Sequence, residues 1–343
     1  MIKDSVCFDD VLLVPRKSDI NSREDIELST SLGKNKFRFP VVSSPMDTVT
    51  ESAMALAMFR RGGLGIIHRY NTIQEQCKII RNISQEFENT ANTNINNIAA
   101  AIGTSTDFKE RALSLYECGA KIICIDVAHG HHSLVERSIK SLKDSLGENI
   151  TIIAGNVATA EGFKDLSDWG ADAVRIGIGG GSICSTRIQT GHGVPTLQSV
   201  LDCRDAADCS IIADGGIKTS GDIVKALAAG ADMVMLGSML AGTEETPGDT
   251  FQGNDNKRYK VYRGMASPEA QIAWRGAARS LEGISTTIPY KGEVEKILYK
   301  IDRNIRSGLS YTGAKSLKEF RGLAKFIRQS PSGLAESRTH ILK

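Results

Sequence analysis

Residues 177–193 read GIGGGSICSTRIQTGHG, with Cys184 in their midst. Glycine or serine fills positions 177 and 179–182, and such small residues let backbone N–H groups approach an anion closely. Ser182 adds a hydroxyl two positions before the thiol. A cysteine in a loop of this kind is partly exposed, and nearby backbone donors favour the thiolate, the nucleophilic form. The chemistry on offer is covalent attack on an electrophilic carbon beside an anion site. A flexible loop with an incidental cysteine is the competing account. The placement of the whole pattern directly after a buried-strand run argues against it.

Other residues with useful chemistry also fall at the ends of apolar runs: Ser44, Met46, Asp126, Asn156, Asp214 with Gly215 and Gly216, and Gly237 with Ser238. Asp-Gly-Gly also serves simply as a turn after a strand. His129, His131 and His132 are bunched, but no matching carboxylate or second ligand cluster accompanies them. They are taken as surface histidines rather than metal ligands.

These residues need a frame that gathers strand ends. Eight short, continuous runs rich in Val and Ile recur: 39–44 (FPVVSS), 64–68 (LGIIH), 97–103 (NIAAAIG), 121–127 (KIICIDV), 150–156 (ITIIAGN), 172–177 (DAVRIG), 210–215 (SIIADG) and 232–237 (DMVMLG). Continuous rather than alternating apolar character marks strands buried on both faces. Helix-length patterns such as 107–118 and 220–229 lie between them. Eight strand–helix units predict parallel strands closed into one (β/α)₈ barrel, with its chemistry at the carboxyl ends of the strands. An open doubly wound sheet wants G-x-G-x-x-G after the first strand, and none is present. The expected organisation is a single barrel over 1–343, with lid and hairpin insertions over 243–292 and a C-terminal tail over 327–343. Within it, 243–259 is expected to be an exposed hairpin or loop, 274–287 irregular, 293–307 an amphipathic closing helix, and 89–97 a short polar connection.

Composition limits the partners. There are 42 basic and 40 acidic residues, a formal net charge of +2, which makes no electrostatic case for nucleic acid or a membrane surface. No apolar stretch approaches membrane-spanning length, and the first ten residues lack a signal-peptide core. The seven cysteines are unevenly spaced without a C-x-x-C pair, which supports neither a zinc site nor a disulfide framework. A reduced, cytoplasmic globular protein is expected.

The segment GIGGGSICSTR resembles the active-site loop of the IMP dehydrogenase / GMP reductase family. So do VVSSPMDTVTE (41–51), IDVAHGH (125–131), AGNVAT (154–159), IADGGI (212–217), MLGSMLAG (235–242) and YRGM (262–265), in order along nearly the whole chain. The resemblance implies that Cys184 attacks C2 of a purine nucleoside monophosphate, GMP or IMP, while a nicotinamide cofactor exchanges hydride with that carbon. It implies a phosphate site from Ser182, Gly216, Gly237, Ser238 and Tyr262, a ribose contact from Asp214, and a base wall from Ser44 and Met46, with Gly264 and Met265 of the YRGM segment also bordering the substrate. Asp126, Asn156, Arg175 and Gly177 match cofactor contacts. Carbonyls of Gly179, Gly181 and Cys184 match a monovalent-cation (K+) site, completed by a neighbour's tail that resembles 332–340. A homotetramer follows from that likeness.

Two members of the family differ at the lid. A dehydrogenase hydrolyses the adduct with an Arg-Tyr pair on a long flap. Residues 266–289 (ASPEAQIAWRGAARSLEGISTTIP) are short and hold no such pair. Arg279-Ser-Leu-Glu282-Gly resembles the GMP reductase Arg-x-x-Glu-Gly, which implies that Arg279 contacts the base and that Glu282 pairs with Thr186 to relay a proton. The room between 67 and 97 excludes an inserted regulatory module. SSPMDTVTE, HGH and SGLAES lean towards dehydrogenases. The reading adopted is an NADPH-dependent GMP reductase. The alternatives are an NAD-dependent IMP dehydrogenase and a catalytically inactive nucleotide-binding barrel.

Overall fold

The computed structural model describes residues 2–88, 97–278 and 281–339. All eight runs are strands: β1 (Val41–Ser43), β2 (Leu64–Ile67), β3 (Ala99–Ile102), β4 (Ile122–Asp126), β5 (Thr151–Val157), β6 (Ala173–Ile176), β7 (Ser210–Asp214) and β8 (Met233–Leu236). Each pairs in parallel with its sequence neighbours, and β8 returns to β1 to close the barrel. Helices on the outside cover it, among them α1 (Ser52–Arg61), α2 (Ile73–Glu88), α3 (Phe108–Glu117), α4 (Ser133–Leu146), α5 (Ala160–Asp168) and, after the cysteine loop, α6 (Thr186–Thr190), α7 (Thr196–Cys203) and α8 (Ser220–Ala229).

Strand alternation sorts the side chains into two cores. Val42, Ile66, Ala101, Cys124, Ile153, Ala173, Ile212 and Met235 fill the barrel interior, with Leu32 and Phe37 of the hairpin Thr30–Leu32/Asn35–Phe37 joining them. Their neighbours Val41, Ile67, Ile123, Ile152, Val174, Ala213 and Val234 pack outward under the helices. A period of two then dictates what comes next at each strand's end. Asp126 follows Cys124, Arg175 follows Ala173 and Asp214 follows Ile212 on the inward side. The carboxyl end of the barrel is therefore floored by charge.

Beyond β8 the chain builds an antiparallel sheet from β9 (Phe251–Gln252), β10 (Arg258–Arg263) and β11 (Ser285–Pro289). The hairpin expected within 243–259 is the β9–β10 turn. The stretch 274–287 is more regular than expected. Trp274 belongs to α9 (Pro268–Arg275), which Ser267 caps by accepting from the Ala270 amide and Gly276 ends in the left-handed region, and 285–287 join β11. The closing helix is α10 (Val294–Ser310). The connection expected over 89–97 lies outside the described residues except for Asn97, as does the tail beyond 339. All seven cysteines are free thiols. No helix among the described residues is long and apolar enough to cross a membrane.

Candidate active site

The floor is an ion cluster. Arg175 is buried and donates to Asp126 Oδ1 at 2.5 Å and to Asp214 Oδ2 at 2.8 Å. Asn156 Nδ2 also donates to Asp214 Oδ2, at 2.8 Å, and to the Gly177 carbonyl at 2.9 Å. Arg69 Nε reaches Asp126 Oδ2 at 3.2 Å. Desolvation pushes the Asp126 carboxyl up, but the guanidiniums of Arg175 and Arg69 outweigh it and hold the group below the usual carboxylate range. Gly155 makes this layer possible. It pairs with Asp126 on one side and Arg175 on the other, and a Cβ there would stand 2.7 Å from that of Arg175. Without it, the guanidinium can reach across to Asp126.

The cysteine loop is strapped to the segment that precedes β11. The Ser185 amide donates to the Glu282 carbonyl at 3.0 Å, the Ile284 amide to the Ile183 carbonyl at 3.1 Å, and Cys184 bridges Gly283. A side chain at Gly283 would fall 2.8 Å from the Ser267 amide nitrogen, so only glycine fits this crossing. The ladder brings three functional groups into line. The Cys184 thiol is 3.2 Å from Thr186 Oγ1, and that hydroxyl donates to Glu282 Oε2 at 2.8 Å.

A wall stands opposite. Tyr262 comes from β10, and its hydroxyl is 3.4 Å from Ser182 Oγ. Burial pushes its phenol up, so it remains a neutral donor at physiological pH. Gly237 leaves a gap bordered by Tyr262 Oη, Met46 Sδ and Ser44 Oγ, each within 3.5 Å of where its Cβ would be. Arg263 donates to Asp47 Oδ2 through Nε and Nη2, at 2.9 and 2.5 Å, which ties the lid sheet to the loop carrying Met46.

Between floor, loop and wall lies a cavity of about 330 Å³, the size of a small-molecule site. Every site residue expected from the sequence lines it except Arg279, which lies outside the described residues. Arg69, Tyr70 and Lys218 line it too, and sequence reasoning passed over them. Arg69 and Tyr70 lie two and three residues past the end of β2, in a strand-end loop where the same rule applies. The three histidines are elsewhere: His132 caps α4, and His131 is partly buried against Asp165 at 2.8 Å rather than lying free on the surface.

The model of the IMP dehydrogenase / GMP reductase domain matches residues 5–340. The chain belongs to this family. Its relatives include inosine-5'-monophosphate dehydrogenases from Nitrosopumilus maritimus (strain SCM1), 36% identical over 98% of this chain and 98% of the relative, and from Staphylococcus aureus, 37% identical over 99% and 96%. The former alignment runs over 470 residues against 343 in this chain, so the dehydrogenase carries at least 127 residues without a counterpart here. Among solved structures, a GMP reductase variant from Trypanosoma brucei in complex with guanosine 5'-monophosphate superposes with a TM-score of 0.92 at 31% identity, covering 99% of this chain and 98% of that one. The family makes this chain an oxidoreductase of purine nucleotides that uses a nicotinamide dinucleotide.

Proposed function

We propose that the protein is a GMP reductase, converting GMP to IMP and ammonia. The observation that carries this is the lid, whose residues 266–289 include no Arg-Tyr pair, over the Cys184–Thr186–Glu282 line at 3.2 and 2.8 Å, which both activities can use. The Cys184 thiol passes its proton through the Thr186 hydroxyl to the Glu282 carboxylate, and the resulting thiolate adds to C2 of the purine. The C2–N bond breaks, and the 2-amino group leaves as ammonia, taking that proton back from Glu282 through Thr186. When bound, NADPH supplies the hydride that replaces the amine at C2. The C–S bond then breaks and Cys184 regains its thiolate.

The chain's own groups fit the reactants. The Gly237–Ser238 turn, Ser182, Gly216 and Tyr262 offer donors to the 5'-phosphate. Asp214 uses only Oδ2 for its floor bonds, which leaves Oδ1 for a ribose hydroxyl. Ser44, Met46, Gly264 and Met265 border the base; the base contact that the family assigns to Arg279 falls outside the described residues. Asp126, Asn156, Arg175 and Gly177 would hold the nicotinamide half of the cofactor, with the ion cluster fixing their orientation. Among the described residues, the carbonyls of Gly179 and Cys184 accept no hydrogen bond, and that of Gly181 accepts only the Cys184 amide. Such a set of oxygens suits a potassium ion. A homotetramer whose tail completes that site from a neighbour accords with this, and light scattering showing an active monomer would refute it.

One observation favours IMP dehydrogenase as the second reading: Arg69 and Tyr70 form an arginine–tyrosine pair on the cavity wall. Arg69, however, already donates its Nε to the Asp126 carboxylate at 3.2 Å, which ties it to the floor of the site. Of the lid arginines, Arg275 is taken up by the Gln271 side-chain oxygen and the Ala277 carbonyl. The deciding experiment compares NADPH oxidation with GMP against NAD+ reduction with IMP. Faster oxidation with GMP is expected; faster XMP formation would overturn the reductase reading.

A further inference from the structure

The turn that leaves β8 is held from behind by a side chain from a distant part of the chain. Lys291, just past β11, sends its Nζ to the Ser238 carbonyl at 2.6 Å and to the Met239 carbonyl at 3.3 Å. Its own amide donates to the Gly242 carbonyl at 2.8 Å, so both ends of the residue grip the same segment. No described carboxylate pairs with this ammonium, and desolvation lowers its pKa from the usual lysine value. Among the described residues, the hydrogen-bond partners of the ammonium are these two carbonyls.

Residues 237–241 form one helical turn, in which the Gly237 carbonyl accepts from the Leu240 and Ala241 amides at 3.0 and 2.9 Å. The amides of Ser238 and Met239, which open the turn, donate to nothing among the described residues. Gly237 and Ser238 line the cavity. In a trans peptide the carbonyl and the following N–H point in opposite directions. Fixing the Ser238 carbonyl outward therefore fixes the Met239 N–H the other way.

We infer that Lys291 is a positioning residue for the substrate's 5'-phosphate: by gripping the Ser238 and Met239 carbonyls from outside, it aims the free amides of the turn at the phosphate and sets a positive charge behind them. This rests on the reading of Gly237 and Ser238 as phosphate-binding residues. A comparable arrangement holds the next residues. The Lys260 ammonium donates to the Thr243, Glu244 and Thr246 carbonyls at 3.1, 3.3 and 2.6 Å, but none of these residues lines the cavity. Lys260 stabilises the connection, whereas Lys291 acts on the turn that meets the ligand. Both lysines come from the lid sheet or its edge, so phosphate affinity depends on that sheet being docked.

The test is equilibrium binding of GMP and guanosine, and of IMP and inosine, to the full-length wild type, Lys291→Met and Lys291→Arg. Lys291→Met is expected to weaken both monophosphates about tenfold or more and to leave both nucleosides within about twofold. Lys291→Arg should restore most of the loss, since a guanidinium can still donate to the two carbonyls. Monophosphate affinity unchanged in Lys291→Met would overturn the inference. So would an equal loss for nucleoside and monophosphate, which marks a merely structural role. A wild type that binds monophosphates no better than nucleosides would refute the phosphate site itself and this inference with it. Because both nucleotides are tested, a protein that proves to be a dehydrogenase leaves the test intact.

Discussion

The Thr186 hydroxyl donates to the Glu282 carboxylate at 2.8 Å across a separation of 96 residues. If this contact carries the proton to the departing amine, Glu282→Gln should keep the hydrogen bond and lose the proton. GMP turnover is then expected to fall about 100-fold or more, the usual scale for general acid catalysis. Cys184 should still react with 6-chloropurine ribotide. Steady-state kinetics and mass spectrometry of the labelled protein check both halves, and a variant with near-normal turnover would remove Glu282 from the mechanism.

Cys184→Ala should abolish turnover, with losses of several orders of magnitude, while GMP binding by calorimetry survives. Residual turnover within tenfold of the wild type would mean that another group forms the adduct.

Arg175 neutralises two carboxylates at once. Arg175→Met should cost about 3–5 kcal/mol at pH 7, because Asp214 loses the guanidinium paired with it and Asp126 keeps only Arg69. The pH dependence has a definite sign. In the wild type the Asp126 pKa is lowered, so its contribution is complete above the unfolded carboxylate pKa and is lost as pH falls through the folded value. In the variant, burial acts on Asp126 with less opposition and its carboxyl rises. The folded state then binds more protons than the unfolded one, and the deficit should shrink from pH 7 towards pH 5. Urea unfolding at both pH values measures this; an equal deficit at each would contradict it.

Gly155→Ala tests the same layer by steric means. The new methyl would meet the Arg175 Cβ at 2.7 Å and its carbonyl oxygen at 2.9 Å. Neither can move far inside a barrel, so a loss of about 1–3 kcal/mol is expected, read as a lower melting temperature. An unchanged melting temperature would show that the floor tolerates displacement.

The barrel was legible because strands buried on both faces leave continuous Val- and Ile-rich runs, and all eight runs are strands. The inward position of Asp126, Arg175 and Asp214 follows from the same alternation. The Arg175 bridge does not, since it depends on what Gly155 lacks. The Thr186–Glu282 contact was expected only from family resemblance, for nothing local relates those two positions. Tyr70 escaped notice for a similar reason. Its hydroxyl donates to the Met265 carbonyl at 2.5 Å, and its ring stacks on Trp274 with centroids 4.5 Å apart, contacts made only once the lid is folded over β2. The α9 start, by contrast, was written in Ser267-Pro268-Glu269, a serine cap followed by proline and an acidic first turn. The polarity of the surrounding stretch obscured it.

The ladder between 183–185 and 282–284 also bears on how the protein is made. On the ribosome Cys184 emerges about a hundred residues before Glu282, and closing so long a loop has an entropic cost that only native packing repays. The ladder depends on the packing that brings these two distant segments together. A nascent chain therefore carries Cys184 before it can make the hydrogen bonds from Ser185 to Glu282 and from Ile284 to Ile183, and the proposed relay exists only where these two segments have met.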